Sequence, residues 1–360
     1  MKKVDLYDLG LNERYTQEAS MYEKELYIGR VAVQYRNIYK VITEEGEIFA
    51  EVSGKLNYTS KSAIDYPVVG DWVLVDRATN EKGTAIIHHT LSRRSCFERK
   101  VAGARIDGQI VAANIDIVFI CMSLNNDFNI RRLERYVSIA WNSSAAPVVV
   151  LTKADLCNDI ESKVFQVESV AIGVDILVTS SISEDGYLIV KNYISKGKTI
   201  AFIGSSGVGK STLINRLLGN EVLETKGIRN DDKGRHTTTH RELLLIPSGG
   251  VVIDTPGMRE LGIVTADLNK SFSDIDEIAQ RCKFSDCSHE DEPKCAVREA
   301  IEKGLLDIER LENYKKLKRE LKYSELNSKQ IEKEKINEMF GGMAAIKEVK
   351  RFIKNKNRRK

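Results

Sequence analysis

The 360-residue sequence predicts a multidomain chain with three folded parts in series. These are an N-terminal OB-like β-barrel, a central α/β domain of the phosphate-loop class, and a mostly α-helical, zinc-binding C-terminal domain. Three observations carry this reading. Short β-like runs follow one another from Leu26 to Phe97, separated by Gly, Asn and Asp. Apolar strand-like runs then alternate with helical stretches from about Asp107 to Val264. A knot of Cys282, Cys287, His289 and Cys295 interrupts the charge-rich helical stretch that follows. The length suits two or three cores. The expected division is 1–24, a polar and loosely attached arm; 25–106, the barrel; 107–264, the α/β domain; 265–330, the helical zinc domain; and 331–360, a basic tail.

The barrel runs are Tyr27 to Val33, Ile38 to Ile42, Ile48 to Val52, Trp72 to Val75 and Ala85 to His88. Five short strands at this spacing suit an OB-like closure. The α/β runs are Ile115 to Met122, Pro147 to Leu151, Ile176 to Thr179, Thr199 to Ile203, Leu243 to Ile246 and Val251 to Ile253. Arg131 to Ala140 and Ser211 to Leu218 read as helices between them. Strands without polar alternation are buried on both faces, as in a parallel sheet.

One segment specifies phosphate chemistry. Gly204, Ser205, Ser206, Gly207, Val208, Gly209, Lys210, Ser211 and Thr212 fit G-x-x-x-x-G-K-[ST] between a strand and a helix. Glycines let backbone N–H groups crowd round phosphate oxygens. Lys210 is expected on the β- and γ-phosphates, and Ser211 on Mg²⁺. The helix that starts here aims its positive end at the phosphates. Asp254-Thr255-Pro256-Gly257 ends a strand and fits D-x-x-G, with Asp254 holding Mg²⁺ through water and Gly257 sensing the γ-phosphate. Gly234 to His240 lies between them as a switch segment. Thr238 is the preferred Mg²⁺ ligand there and Thr239 the second choice.

Thr152, Lys153, Ala154 and Asp155 look like the [NT]-K-x-D guanine reader. An Asp155 carboxylate accepts from guanine N1 and N2, a donor pair adenine lacks. The Lys153 stem can lie along the base, and Thr179-Ser180-Ser181 can back it. In most GTPases this element follows the phosphate loop; here it precedes it, which implies a circularly permuted GTP-binding domain. After the D-x-x-G glycine many GTPases carry a water-orienting glutamine. This chain has Met258, which cannot orient water. Either hydrolysis is slow or another group acts. His236 and His240 lie in the switch segment, and His236 is the preferred catalytic group, since His is the usual near-neutral acid/base side chain.

Three Cys and one His within fourteen residues suit a tetrahedral, structural Zn²⁺. Cys96, Cys121 and Cys157 read as buried thiols. A net charge of +3 does not by itself demand nucleic acid, but Gly341 to Lys360 holds eight Lys or Arg against Glu348 alone. No apolar run is long enough to span a bilayer and no apolar signal core follows Met1, so no membrane partner and a cytoplasmic location are expected.

With these residues in place the chain resembles the RsgA (YjeQ/YloQ) family of bacterial ribosome-biogenesis GTPases. The resemblance also rests on Asp65 to Trp72, Asp127 to Tyr136, Gly234 to Thr239 and the C-x4-C-x-H-x5-C spacing. It implies an OB barrel, a permuted GTPase domain and a zinc domain. It implies GTP hydrolysis to GDP in late maturation of the small (30S) ribosomal subunit, with 16S rRNA as a partner. A monomer is expected. RNA contact is expected from Arg93, Arg94, Phe97, Arg99 and Lys100 beside the barrel and from the basic tail. Since Asp254 to Gly257 runs within about ten residues into the C-terminal domain, loss of the γ-phosphate is expected to pull on that domain.

Overall fold

The computed structural model describes residues 3–22, 25–81, 83–100, 108–180, 186–219, 242–254, 268–324, 330 and 333. His236, Thr238, Thr239, Gly257, Met258 and the tail 341–360 lie outside these residues, as does the connection 255–267.

The N-terminal arm is packed, contrary to expectation. Leu6, Leu9, Leu11 and Tyr15 are buried. Helix α1, Glu13–Ala19, starts where the Asn12 side chain accepts from the Arg14 N–H. The Tyr15 ring packs at a tilt against Trp72, centroids 5.6 Å apart, and its hydroxyl donates to Asn114 Oδ1 at 3.0 Å. Four apolar residues spread over ten positions of polar sequence hide this anchoring.

The barrel strands are β1 (Tyr27–Gln34), β2 (Tyr39–Thr43), β3 (Gly46–Val52), β4 (Trp72–Val75) and β5 (Ala85–Thr90). They pair in the order β1-β2-β3-β5-β4, and β4 returns to pair with β1. Only β3 and β5 are parallel. This is a closed five-stranded OB-like barrel. Its core is Val31, Val41, Ile48, Ala50, Val73, Val75, Ala85 and Ile87. Helix α2, Gly54–Thr59, lies between β3 and β4. A hairpin of β6 (Cys96–Lys100) and β7 (Gly108–Ala113) leads out of the barrel.

The central domain runs β8 (Ile117–Ser123), α3 (Ile130–Asn142), β9 (Ala146–Thr152), α4 (Ile160–Glu168), β10 (Asp175–Val178), α5 (Leu188–Asn192), β11 (Thr199–Ile203), α6 (Lys210–Leu218), β12 (Glu242–Leu245) and β13 (Val251–Asp254). The sheet order is β10-β9-β8-β11-β13-β12, parallel except at β12. β8, β9, β11 and β13 are buried almost throughout. β11, which carries the phosphate loop, stands between β8, three strands earlier in the chain, and β13, two strands later. Beginning the chain at β11 and rejoining the ends between β13 and β8 would leave every pairing intact. That rotation is the circular permutation in geometric terms. The two halves share one sheet: Val33 of β1 pairs with Glu242 of β12, giving eleven strands in a row.

The C-terminal region is helical: α7 (Leu268–Ser271), α8 (Ser273–Ala279), α9 (Ala296–Glu302) and α10 (Ile308–Ser324). It is fixed to α3 by buried ions. Glu134, on the buried face of α3, accepts from Arg310 Nη1 at 2.6 Å, Asn313 Nδ2 at 2.5 Å and Arg131 Nη1 at 3.1 Å. Arg310 also forks onto Asp274 at 2.7 Å and lies over Phe272 at 4.7 Å. Burial pulls the Arg310 pKa down, but Asp274 and Glu134 outweigh it and raise it. No helix among the described residues is long and apolar enough to cross a membrane.

Candidate nucleotide site and metal knot

The parallel strands bring the motifs together at their C-terminal ends, where open α/β sheets place their crevice. β11 ends at Ile203 and the loop 204–209 begins. Gly204 has φ +140°, and a Cβ there would stand 2.3 Å from the Cys121 carbonyl oxygen of β8. Only glycine lets the loop leave the sheet this close to its neighbour. Gly207 and Gly209 have φ +79° and +101°, and among the described residues no heavy atom beyond their chain neighbours lies within 4 Å of where a Cβ would sit. Their positive φ is a backbone conformation that favours glycine. Gly209 is the N-cap of α6, so Lys210, Ser211 and Thr212 form its first turn. Lys210 Nζ donates to the Gly204 carbonyl at 2.7 Å and also to that of Ser205. The ammonium thus lies over the loop whose N–H groups suit an anion.

Thr152 ends β9 and is buried. Its hydroxyl donates to the Val208 carbonyl at 2.6 Å, across the loop between β9 and β11. Thr152 therefore bonds the phosphate loop directly, a role its place in the motif does not disclose. Lys153 turns the chain with φ +58°. A 3-10 turn, Ala154–Leu156, carries Asp155. Asp155 accepts from the Ser180 hydroxyl, and the Ala154 N–H donates to the Thr179 carbonyl at 3.2 Å. The Thr179-Ser180 strand end thus braces the aspartate. Ser181 lies outside the described residues. Asp254 ends β13, in register with Glu242 of β12.

The ligand atoms of Cys282, Cys287, His289 and Cys295 lie within 4.8 Å of one another. Cys282 Sγ is 3.7 Å from His289 Nδ1 and 4.0 Å from Cys295 Sγ; Cys295 Sγ is 3.4 Å from the same nitrogen. A tetrahedron with metal–sulfur bonds of about 2.3 Å has edges of about 3.8 Å, so the donor set fits Zn²⁺. All three cysteines are free thiols. Burial pushes the Cys282 thiol up, but the N–H groups of Val297 and Ala296 at the start of α9 hold it below its ordinary value. Burial, then Lys315, pull the His289 pKa down, toward the neutral imidazole a metal needs. His289 and Lys294 both have positive φ, near 60°. For residues with a Cβ this strain is held in place by the surroundings.

Two of the residues expected to meet RNA are spent inside the protein. Arg93 forks onto Asp71 at 2.7 and 2.9 Å and donates to the Ile64 and Tyr66 carbonyls. Phe97 is 1% exposed. Arg94 pairs with Asp116, and the side chains of Arg99 and Lys100 lie outside those described. Sequence reading also missed Arg30 and Glu134. Glu134 carried a signal, a lone acid on the apolar face of α3 beside Leu133 and Val137.

Over 324 residues the chain is 52% identical to the small ribosomal subunit biogenesis GTPase RsgA 2 of Lactiplantibacillus plantarum, covering 90% of this chain and 91% of that relative. The chain belongs to the RsgA family of GTPases. The RsgA GTPase family model matches residues 90–264. A relative named RsgA 1 from Oceanobacillus iheyensis is 44% identical, over 88% of this chain and 93% of its own length. Among solved structures, YjeQ from Thermotoga maritima superposes with a TM-score of 0.60 at 30% identity, over 82% of this chain and 98% of that one. YloQ, described as a circularly permuted GTPase, gives 0.60 at 28%, over 84% and 96%. An ABC transporter family model also matches residues 189–358. That span holds the phosphate loop, a motif broader than RsgA proteins alone.

Proposed function

We propose that this chain hydrolyses GTP to GDP and phosphate during late maturation of the small ribosomal subunit and uses that step to leave it. The observation that carries the reading is the Thr152 hydroxyl on the Val208 carbonyl at 2.6 Å. It joins a guanine reader to a phosphate loop that the chain order separates and reverses. The names of the RsgA relatives supply the ribosomal side of the proposal.

In this reading Asp155 accepts from guanine N1 and N2, with Ser180 bracing it. Lys153 covers the base. The N–H groups from Ser205 to Thr212 and the Lys210 ammonium hold the phosphates. Ser211, Thr238 and Asp254 hold Mg²⁺, which when bound supplies charge to the phosphate oxygens. His236 orients or takes the proton of the attacking water, and Gly257 senses the γ-phosphate. Cys282, Cys287, His289 and Cys295 hold one structural Zn²⁺. We place 16S rRNA among the partners, keep the domain limits 25–106, 107–264 and 265–330, and take the protein to be a cytoplasmic monomer.

Single-turnover hydrolysis tests it. Turnover should be slow alone and strongly raised by small subunits, and His236→Ala should lose that rise while still binding GTP. Turnover indifferent to small subunits would favour a GTP-gated RNA scaffold and overturn the proposal. A fully stimulated His236→Ala would remove that residue from the mechanism.

A further inference from the structure

Arg30 is buried where four separate segments meet. It lies on β1 of the barrel and is 1% exposed. Its guanidinium donates to the Leu9 carbonyl of the arm, the Gly70 carbonyl of the barrel at 3.3 Å, the Asn114 carbonyl at 3.4 Å and the Thr199 hydroxyl at 2.8 Å. Its face lies over Trp72 at 5.2 Å. None of these acceptors is a carboxylate.

A buried charge held only by neutral acceptors is a poor way to gain stability. An apolar side chain of similar volume avoids the desolvation cost. What the planar fork supplies is geometry, fixing several acceptors at set angles at once. One of them is the first residue of β11. Thr199 is also fixed through its N–H to the Asp116 carboxylate at 2.8 Å and through its carbonyl to the Asp116 N–H at 2.8 Å. From there β11 runs through five residues into Gly204, a span of roughly 16 Å at about 3.3 Å per residue. A buried strand is stiff along its axis, so its starting point sets where the loop begins. The same β1 touches the other wall of the site. Val33 pairs with Glu242, and Glu242 pairs with Asp254.

We propose that Arg30 is a positioning residue for the nucleotide site, tying the phosphate-loop strand to the barrel so that the barrel governs how firmly nucleotide is held. This rests on the guanine-nucleotide reading above. It adds a function for the barrel toward the nucleotide itself, apart from any RNA it meets.

Three variants of the full chain test it: Thr199→Val, Arg30→Lys and Arg93→Lys. Thr199→Val is nearly isosteric and leaves both Asp116 bonds to the backbone, so it removes the Arg30 link alone. Arg93→Lys loosens an equally saturated fork that stays within the barrel side. The readouts are release of a fluorescent GDP analogue by stopped flow and the melting temperature of each variant. Losing one hydrogen bond of ordinary strength corresponds to about fivefold. Release should quicken by about that factor in Thr199→Val and by more in Arg30→Lys, and stay within about twofold of wild type in Arg93→Lys. Wild-type release from Thr199→Val would overturn the inference. So would equal quickening in Arg93→Lys, which would mean general loosening. A wild type that binds no GDP analogue would overturn the nucleotide reading and this inference together, and is told apart by that first trace. If Arg30→Lys fails to fold, Thr199→Val decides.

Discussion

Two buried arginines join the nucleotide domain to its neighbours, and they do so by opposite chemistry. Arg310, between α10 and α3, sits between two carboxylates, Glu134 and Asp274, and its pKa is raised. Arg30, between the barrel and β11, meets only carbonyls and a hydroxyl, and burial pulls its pKa down to about 10. The first is a neutralised joint, costly to break because breaking it strands the buried Glu134. The second is strained by its own charge and tightens geometry more than it adds stability. The C-terminal region is thus built to ride with α3, whereas the barrel is built to be felt at the phosphate loop. The pull expected through residues 255–267 would have to act against the α3 joint.

The comparison can be broken or sharpened at four points. The largest effect is expected from the metal. Structural Zn²⁺ supplies on the order of 10 kcal/mol to small domains. Full-length protein should hold about one zinc per chain after dialysis, independent of nucleotide. Cys282→Ser should lose it and unfold the knot, read by metal analysis and by hydrogen exchange across α8 and α9. Retained zinc in that variant would show that the knot is not the site.

Next comes Arg310→Met, which leaves Glu134 buried without its main partner. Denaturant unfolding should show a loss of about 3–5 kcal/mol. A loss below about 1 kcal/mol would mean the joint is solvated and the contrast with Arg30 false.

Third, Asp155→Asn should weaken GTP binding by about 2–3 kcal/mol through lost charged hydrogen bonds. Titration with GTP reads the affinity, and unfolding should show both joints unchanged. Wild-type protein that binds ATP as tightly as GTP would end the guanine assignment.

The smallest effect is expected from Arg30→Met, about 1–2 kcal/mol, because relief from burying a charge offsets the carbonyls it leaves unbonded. A loss as large as that of Arg310→Met would erase the distinction between the joints.

Much of this was legible in the residues. The five barrel runs and the strand–loop–helix around Lys210 appear within a few positions of where they were expected. Short-range pattern fixes them: alternating turn residues in one case, glycines at positive φ in the other. The knot was legible because its ligands are close in sequence. What escaped depends on partners far apart along the chain. Arg93 reads as a surface cation until Asp71, twenty-two positions earlier, is seen to hold it. Phe97 reads as a stacking aromatic until the hairpin β6–β7 folds it into the core. The arm reads as loose because its anchors, Leu9 and Tyr15, are isolated among polar neighbours. His236 and Thr238 rest on motif spacing alone.

The single pairing of Val33 with Glu242 has a consequence for dissecting the protein. β12 is the last strand of the nucleotide sheet on that side. Cutting the chain before residue 107 would remove this one pairing at the Glu242 end and complete an open edge along Glu242–Leu245, a template for another chain. A barrel-free fragment should therefore self-associate, and its poor solubility would say nothing about whether the nucleotide domain can fold.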